Sequence, residues 1–246
     1  MLFESEKSLD RGNLAQRTLA GAIRAYLDAG GKDVNFPSGQ ALSLEQATKE
    51  YKNKTASPEL LTQFMRSFWA EAGQKIGKGY VVSEFPLGSK EIKERAKQGQ
   101  MAIFVPAEVS RVDLGRMFPE MESWSVAEGN SAVDRVNNSS WLWVEASIDA
   151  PNRSTREGQL EDAFKKAKRQ GQSLKTYIIG SQISKLLTDE YFDQGPTWSR
   201  LLGSCFEGHV VDASFRSDGD LYVGSDWDPE DHDGNLGGRS EEVVKA

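Results

Sequence analysis

Cysteine is almost absent: Cys205 is the single one in 246 residues, which excludes an internal disulfide and any thiolate zinc cage. Two histidines, His209 and His232, leave few ligands for other transition metals. Long apolar runs are missing, since none approaches the roughly 20 residues a membrane span requires. The opening Met1-Leu2-Phe3-Glu4-Ser5-Glu6 is acidic and lacks the basic-then-apolar pattern of a signal peptide. These absences predict a cytoplasmic protein in a reducing compartment, with no membrane partner. The easily read catalytic signatures are missing too. There is no G-x-S-x-G, no P-loop, no G-x-G-x-x-G and no H-E-x-x-H.

Positive charge is also in deficit, and unevenly so. The net charge is −7, yet residues 1–211 carry 27 acids and 27 bases, while residues 212–246 carry ten acids and three bases. A neutral body with an acidic end argues against nucleic acid as a partner, because that affinity depends on clustered positive surface. The basic run Lys165, Lys166, Lys168, Arg169 beside Lys175 reads as a solvated helix face. What is present is an ordinary globular mixture, 38% hydrophobic, 27% charged and 9% aromatic.

Helical spacing of Leu19, Ile23, Tyr26 and Leu27 predicts a helix over 13–29, stopped by Gly30-Gly31. A helical pair follows at 43–51 and 57–72, the second opened by Ser57 as N-cap and Pro58 at the first turn. A helix-turn-helix reading of the pair fails on Gln46 and Glu50, which fall where that motif wants apolar contacts. Past Gly77 and Gly79 the pattern turns mixed, with strands predicted at 80–85 and 101–105 around a helix at 89–98. Residues 116–138 read as a long loop.

The strand at 141–150 alternates cleanly, placing Leu142, Val144, Ala146 and Ile148 on one face and Trp141, Trp143, Glu145, Ser147 and Asp149 on the other. A capping box at Ser154 and Glu157 then predicts a helix to about residue 170. Further expectations are a short strand at 176–179, helices at 182–187 and 197–202, and a hairpin of 209–215 and 221–224 turned by Asp218-Gly219. Beyond Asp226 the chain reads as polar loop.

Ligands of α/β units gather where strands end and helices begin. The first candidate site is therefore the polar strand face and following loop: Trp141, Trp143, Glu145, Asp149, Asn152, Arg153 and Arg156. Glu145 and Asp149 would lie about 13 Å apart along one strand, too far to share a metal unaided. An Asp…Glu-x-Lys nuclease reading pairs Asp134 with Glu145 but finds Ser147 in the lysine position. The second candidate is a cation loop, in which Asp231, Asp233, Asn235 and Glu242 match positions 1, 3, 5 and 12 of a calcium loop. Ca²⁺ or Mg²⁺ is the cofactor chemistry those oxygens suit. Leu236 stands against it, occupying the turn position that wants glycine. The third candidate, Cys205 with His209 near Asp212, lacks a defined geometry for a thiolate and its base, and a buried, inert Cys205 is the plainer reading.

The stretches 145–151 (Glu-Ala-Ser-Ile-Asp-Ala-Pro), 176–181 (Thr-Tyr-Ile-Ile-Gly-Ser), 191–193 (Tyr-Phe-Asp), 197–203 (Thr-Trp-Ser-Arg-Leu-Leu-Gly) and 236–240 (Leu-Gly-Gly-Arg-Ser) resemble a group of uncharacterised bacterial proteins without an assigned function. The resemblance spans about residues 100–240 and implies a bacterial, cytoplasmic origin. It transfers no catalytic roles.

The sequence thus predicts an α+β protein in three parts: a helical region over 1–77 packed with a mixed sheet and helices over 78–225, then an acidic Gly-rich tail over 226–246. The leading functional expectation is a non-enzymatic recognition or accessory protein for a protein or small-molecule ligand. The alternatives are a metal-dependent hydrolase, such as a nuclease, using Glu145 and Asp149, and calcium binding at the C-terminal acidic loop.

Overall fold

A computed structural model describes residues 42–53, 57–121, 133–134 and 138–245. The chain divides into two compact units, residues 1–85 and 86–246. The helix expected at 13–29 lies outside the described residues, as does most of the stretch 122–137.

In the first unit, α1 (Leu44–Asn53) and α2 (Pro58–Gln74) form as the capping signals predict. Ser57 Oγ accepts the Leu60 amide at 3.2 Å, and Leu61, Phe64, Met65, Phe68 and Trp69 are buried. Residues 80–85, expected as a strand, form none among the described residues. Their polar groups are met by α2 instead: Thr62 Oγ1 accepts the Phe85 amide at 2.9 Å and Arg66 donates to the Val82 carbonyl. Side chains of α2 thereby replace the neighbouring strand that a ladder requires.

The second unit opens with α3 (Ser89–Lys97) and β1 (Gln100–Val105), followed by α4 (Arg111–Met117), β2 (Val133–Asp134) and β3 (Ser140–Glu145). Next come α5 (Glu157–Lys166), β4 (Gln170–Gly171) and α6 (Leu174–Thr188), then β5 (Trp198–Phe206), β6 (His209–Phe215) and β7 (Leu221–Gly224). Two short strands close the chain, β8 (Leu236–Gly238) and β9 (Ser240–Val243). The α+β class holds, with two sheets in place of one. The first has the order β1-β3-β9-β4 and the second β2-β5-β6-β7, with β8 added to β5. Every pairing is antiparallel except β5 with β8.

In the second unit five local expectations are overturned, the first being the Ser154–Glu157 capping box: α5 opens at Arg156, whose amide donates to Gln159 Oε1 at 2.9 Å, while Ser154 lies in the preceding turn at φ 58. The short strand and helix at 176–187 are one helix, α6, capped by Ser173 Oγ on the Thr176 amide at 3.1 Å. It is buried almost all round from Leu174 to Ser184, so it carries no amphipathic period to read. Gly180 is there for space: a Cβ would stand 2.9 Å from the Phe192 ring. The helix expected at 197–202 is strand β5, because β6 and β8 pair with both of its edges and outweigh Pro196 as a helix-start signal. The strand at 141–150 ends at Glu145, and both of its faces are buried from Trp141 to Val144. Finally, the predicted loop beyond Asp226 contains β8 and β9. Their glycines mark close packing: a Cβ on Gly237 would meet the Pro151 carbonyl at 2.2 Å, and one on Gly238 the Leu160 side chain at 2.6 Å.

Two irregularities join the sheets. The β5–β6 register shifts between Leu201 and Cys205, and within that bulge the Gly203 amide donates to the Gln172 carbonyl at 3.0 Å, bringing β5 against the end of β4. The chain also passes from β8 in one sheet to β9 in the other within a single residue, Arg239. Among the described residues no helix is long and apolar enough to cross a membrane.

Candidate functional site

Glu145, the carboxylate on which a hydrolase reading depends, holds β9 in place. It accepts the Ser240 amide at 2.8 Å, the Ser240 hydroxyl, and Arg169 at 3.3 Å. Trp141 and Trp143, expected as a binding surface, are buried at 4% and 2% exposure. Trp143 lies beneath the Arg95 guanidinium at 5.4 Å, and that guanidinium also grips Glu242 at 2.7 Å. Asp149 is exposed in the turn after β3. Asn152 donates to the Gly238 carbonyl at 3.0 Å, and Arg156 pairs at the surface with Glu230 at 3.3 Å. Arg153 is exposed in the same turn. These residues therefore do not converge on one pocket; Glu145, Asn152 and Arg156 each serve a different piece of the C-terminal segment. Asp134, the other half of the nuclease reading, sits in the second sheet against Arg111 at 2.9 Å, whereas Glu145 belongs to the first.

The cation loop also fails to assemble. Asp231 Oδ2 caps the Asp228 amide at 2.9 Å and Asp233 Oδ1 the Asn235 amide at 2.7 Å. Between Asn235 and Glu242 the chain is strand, so Glu242 is carried into the first sheet. Among the described residues no group of three or more His, Cys, Asp and Glu is placed to hold a metal. Cys205 is exposed rather than buried. It faces Val210 across the ladder while His209 faces Phe206, which puts thiol and imidazole on opposite faces of the hairpin.

The residues that do come together are ones the sequence reading passed over. At the junction of the sheets Arg239 meets Asp193 at 3.2 Å with both side chains fully buried. Tyr177, Thr197 and Ser199 donate hydroxyls to the same carboxylate at 2.8–3.0 Å, and Arg239 donates further to the carbonyls of Ser147 and Ile148. Burial beside Asp193 raises the Tyr177 phenol well above its ordinary range, so it stays a donor.

On the second sheet, register places two rows of side chains on one face. Trp198, Ser214 and Tyr222 form one row across β5, β6 and β7, and Arg200, Asp212 and Gly224 form the next. The Trp198 and Tyr222 rings meet edge to face at 5.0 Å over the small Ser214, and Tyr222 remains 37% exposed. Arg200 is buried, and its guanidinium is taken by three carbonyls, those of Thr155 at 3.2 Å, Asp231 at 2.9 Å and Asp228 at 2.6 Å. It pins the acidic segment after β7 to the sheet. Desolvation lowers the Arg200 pKa, against the pull of Glu157 and the neighbouring aspartates.

Asp212, one strand over, is 3% exposed, and its Oδ1 has no hydrogen-bond partner among the described residues. Burial, reinforced by Asp226 and opposed by Arg200, pushes its pKa from 3.8 up to about 7. The residue's own backbone amide also acts to lower it, and a carboxylate oxygen removed from water without a donor is destabilising. The signal available in sequence was the alternation of Trp198, Arg200 and Leu202 against Ser199 and Leu201, and of Asp212 and Ser214 against Val211 and Ala213.

No protein-family model matches this chain, and neither comparison, with curated proteins or with solved structures, returns a match.

Proposed function

We propose that this chain is a non-catalytic recognition protein that docks a positively charged partner segment through the face carrying Trp198, Tyr222 and Asp212. The observation that carries this reading is the half-exposed Trp198–Tyr222 ring pair beside a buried carboxylate whose Oδ1 lacks a donor. Aromatic rings supply contact area at little conformational cost, and they attract cations through their negative faces. The surrounding sequence is acidic: Asp218 and Asp220 lie in the β6–β7 turn, and Asp226, Asp228, Glu230, Asp231 and Asp233 follow β7. Complementary charge of this kind steers encounter and sets specificity. The carboxylates of the other readings have local tasks, Glu145 holding β9 and Asp231 and Asp233 capping turns, which favours recognition over hydrolysis or a calcium site.

The test is calorimetric titration of the full chain with a capped peptide of alternating lysine and glycine, and with the glutamate analogue of equal length. Binding of the basic peptide alone, weakened by raised salt and by Tyr222→Ala, supports the reading. Equal binding of both peptides, or of neither, contradicts it.

A further inference from the structure

Arg200 and Asp212 stand directly opposite each other across β5 and β6, and cross-strand neighbours hold their Cβ atoms about 5 Å apart on one face. Both are buried, at 1% and 3% exposure. The guanidinium is nevertheless engaged elsewhere, Nη1 on the carbonyls of Thr155 and Asp231 and Nη2 on that of Asp228. Asp212 Oδ1 meets no donor among the described residues. This is the arrangement that a neutral Asp212 carboxyl permits. A charged carboxylate attracts the guanidinium across the strand more strongly than carbonyl dipoles hold it, and it repels Asp226, which follows β7. Both effects act against the seat of residues 226–233.

We infer that Arg200 and Asp212 form a proton-controlled latch on the acidic segment 226–233. While Asp212 is neutral, Arg200 holds the segment through the Asp228 and Asp231 carbonyls; once Asp212 is charged, the guanidinium swings to its cross-strand neighbour and the segment loosens. Burial sets that change near neutral pH, at about 7. The charged groups acting on Asp212 are Arg200 from β5 and Asp226 from the segment, while β7 sets Gly224 opposite it. Those acting on Arg200, besides Asp212, are Glu157 at the start of α5 and Asp228 and Asp231. Glu161 and His209 act on Glu157 in turn. The segment's other ties lie nearer the surface: the Glu157 amide donates to the Pro229 carbonyl at 3.0 Å, the Ser154 amide to the Asp233 carbonyl at 3.2 Å, and Arg156 pairs with Glu230. Arg200 is the buried fastening, and its hold depends on the residue beside it. The segment carries Asp226, Asp228, Glu230, Asp231 and Asp233, so the latch sets where these carboxylates stand. The inference is independent of the recognition reading, and its test contains no ligand.

The experiment is hydrogen exchange of the full chain from pH 5.5 to 8.5, corrected for the intrinsic rate at each pH. It is read at the Glu157 and Asp231 amides, whose acceptors, the Pro229 and Asp228 carbonyls, belong to the segment. Wild type is expected to lose about tenfold in protection between pH 6 and 8, with a midpoint near 7, while Asp212→Asn keeps its pH 6 value throughout. Asp226→Asn removes the like charge and is expected to move the midpoint to lower pH. Local loosening leaves these rates unchanged in urea well below the unfolding transition. Rates that rise with urea in step with the β6 amides mark global unfolding and overturn the latch. Constant protection in wild type, or an equal fall in Asp212→Asn, overturns it as well. Should Asp212→Asn fail to fold, Asp226→Asn decides alone, and a midpoint that stays in place or moves upward overturns the inference.

Discussion

Arg239 and Asp193 form an ion pair with no solvent exposure on either side chain, Nε to Oδ2 at 3.2 Å. Asp193 adopts a left-handed backbone (φ 53), and the Phe192 ring lies 4.2 Å from the Arg239 guanidinium. The pair sits where the chain steps from β8 into β9, so one side chain anchors the crossing between two sheets. Its charges are tolerable because hydroxyls and carbonyls fill the remaining hydrogen-bonding positions.

Removing one partner leaves the other charge buried and unpaired. Arg239→Ala and Asp193→Ala are each expected to destabilise by about 3–5 kcal/mol. The double variant Arg239→Met, Asp193→Leu is expected to recover part of that loss. Urea unfolding of the three proteins checks it, and a loss in the double equal to the sum of the two single losses would deny the coupling.

Arg200 should matter locally. Arg200→Lys keeps the charge but cannot reach three carbonyls, so a loss of about 1–3 kcal/mol is expected. The amides of residues 228–233 should exchange faster while those of β6 keep their protection. Hydrogen exchange followed by mass spectrometry separates the two segments.

Asp212 should make stability fall as pH rises. Its folded pKa of about 7 lies above its ordinary 3.8, so between those values the folded state holds the proton more tightly than the unfolded one. The stabilisation is complete below about pH 4 and is lost as pH climbs through 7, by as much as about 4 kcal/mol from linkage. Asp212→Asn has no proton to lose. Denaturation at pH 5, 6.5 and 8 should show the variant gaining on wild type at each step.

Glu145→Gln tests the hydrolase alternative from the structural side. Exchanging the carboxylate that receives Ser240 and Arg169 should lower stability by about 1.5–3 kcal/mol. The loss should be the same in chelator as in magnesium or manganese. A metal-dependent rise in the unfolding midpoint that Glu145→Gln abolishes would restore a metal role to this residue.

Local signals were legible where one element decides its own structure. The caps at Ser57 and Pro58, the apolar run of β1 and the Asp218-Gly219 hairpin turn could all be read from neighbours in sequence. What escaped was set by distant partners. Gly237 and Gly238 resemble loop residues until Pro151 and Leu160 are seen against them, and Trp198 to Leu202 resembles a helix until β6 and β8 flank it. For the candidate site, the clean alternation around Trp141 suggests one open face, yet Trp141 to Val144 are buried on both faces, with Arg95 over Trp143. The rows of Trp198 with Tyr222 and of Asp212 with Gly224 exist only across three strands, whose register includes a bulge. The acidic excess of residues 212–246 was visible as charge, but its attachment through Arg200 was not.

On the proposed recognition face Asp212 receives the partner's positive charge, and its own titration reports that encounter. Carbon-13 NMR of the Asp212 carboxyl in the free protein should show a midpoint near 7. Saturating lysine–glycine peptide should move that midpoint down toward the ordinary carboxylate range, because a bound ammonium favours the charged form. A midpoint that stays near 7 with the peptide bound would contradict the claim and place the cation elsewhere.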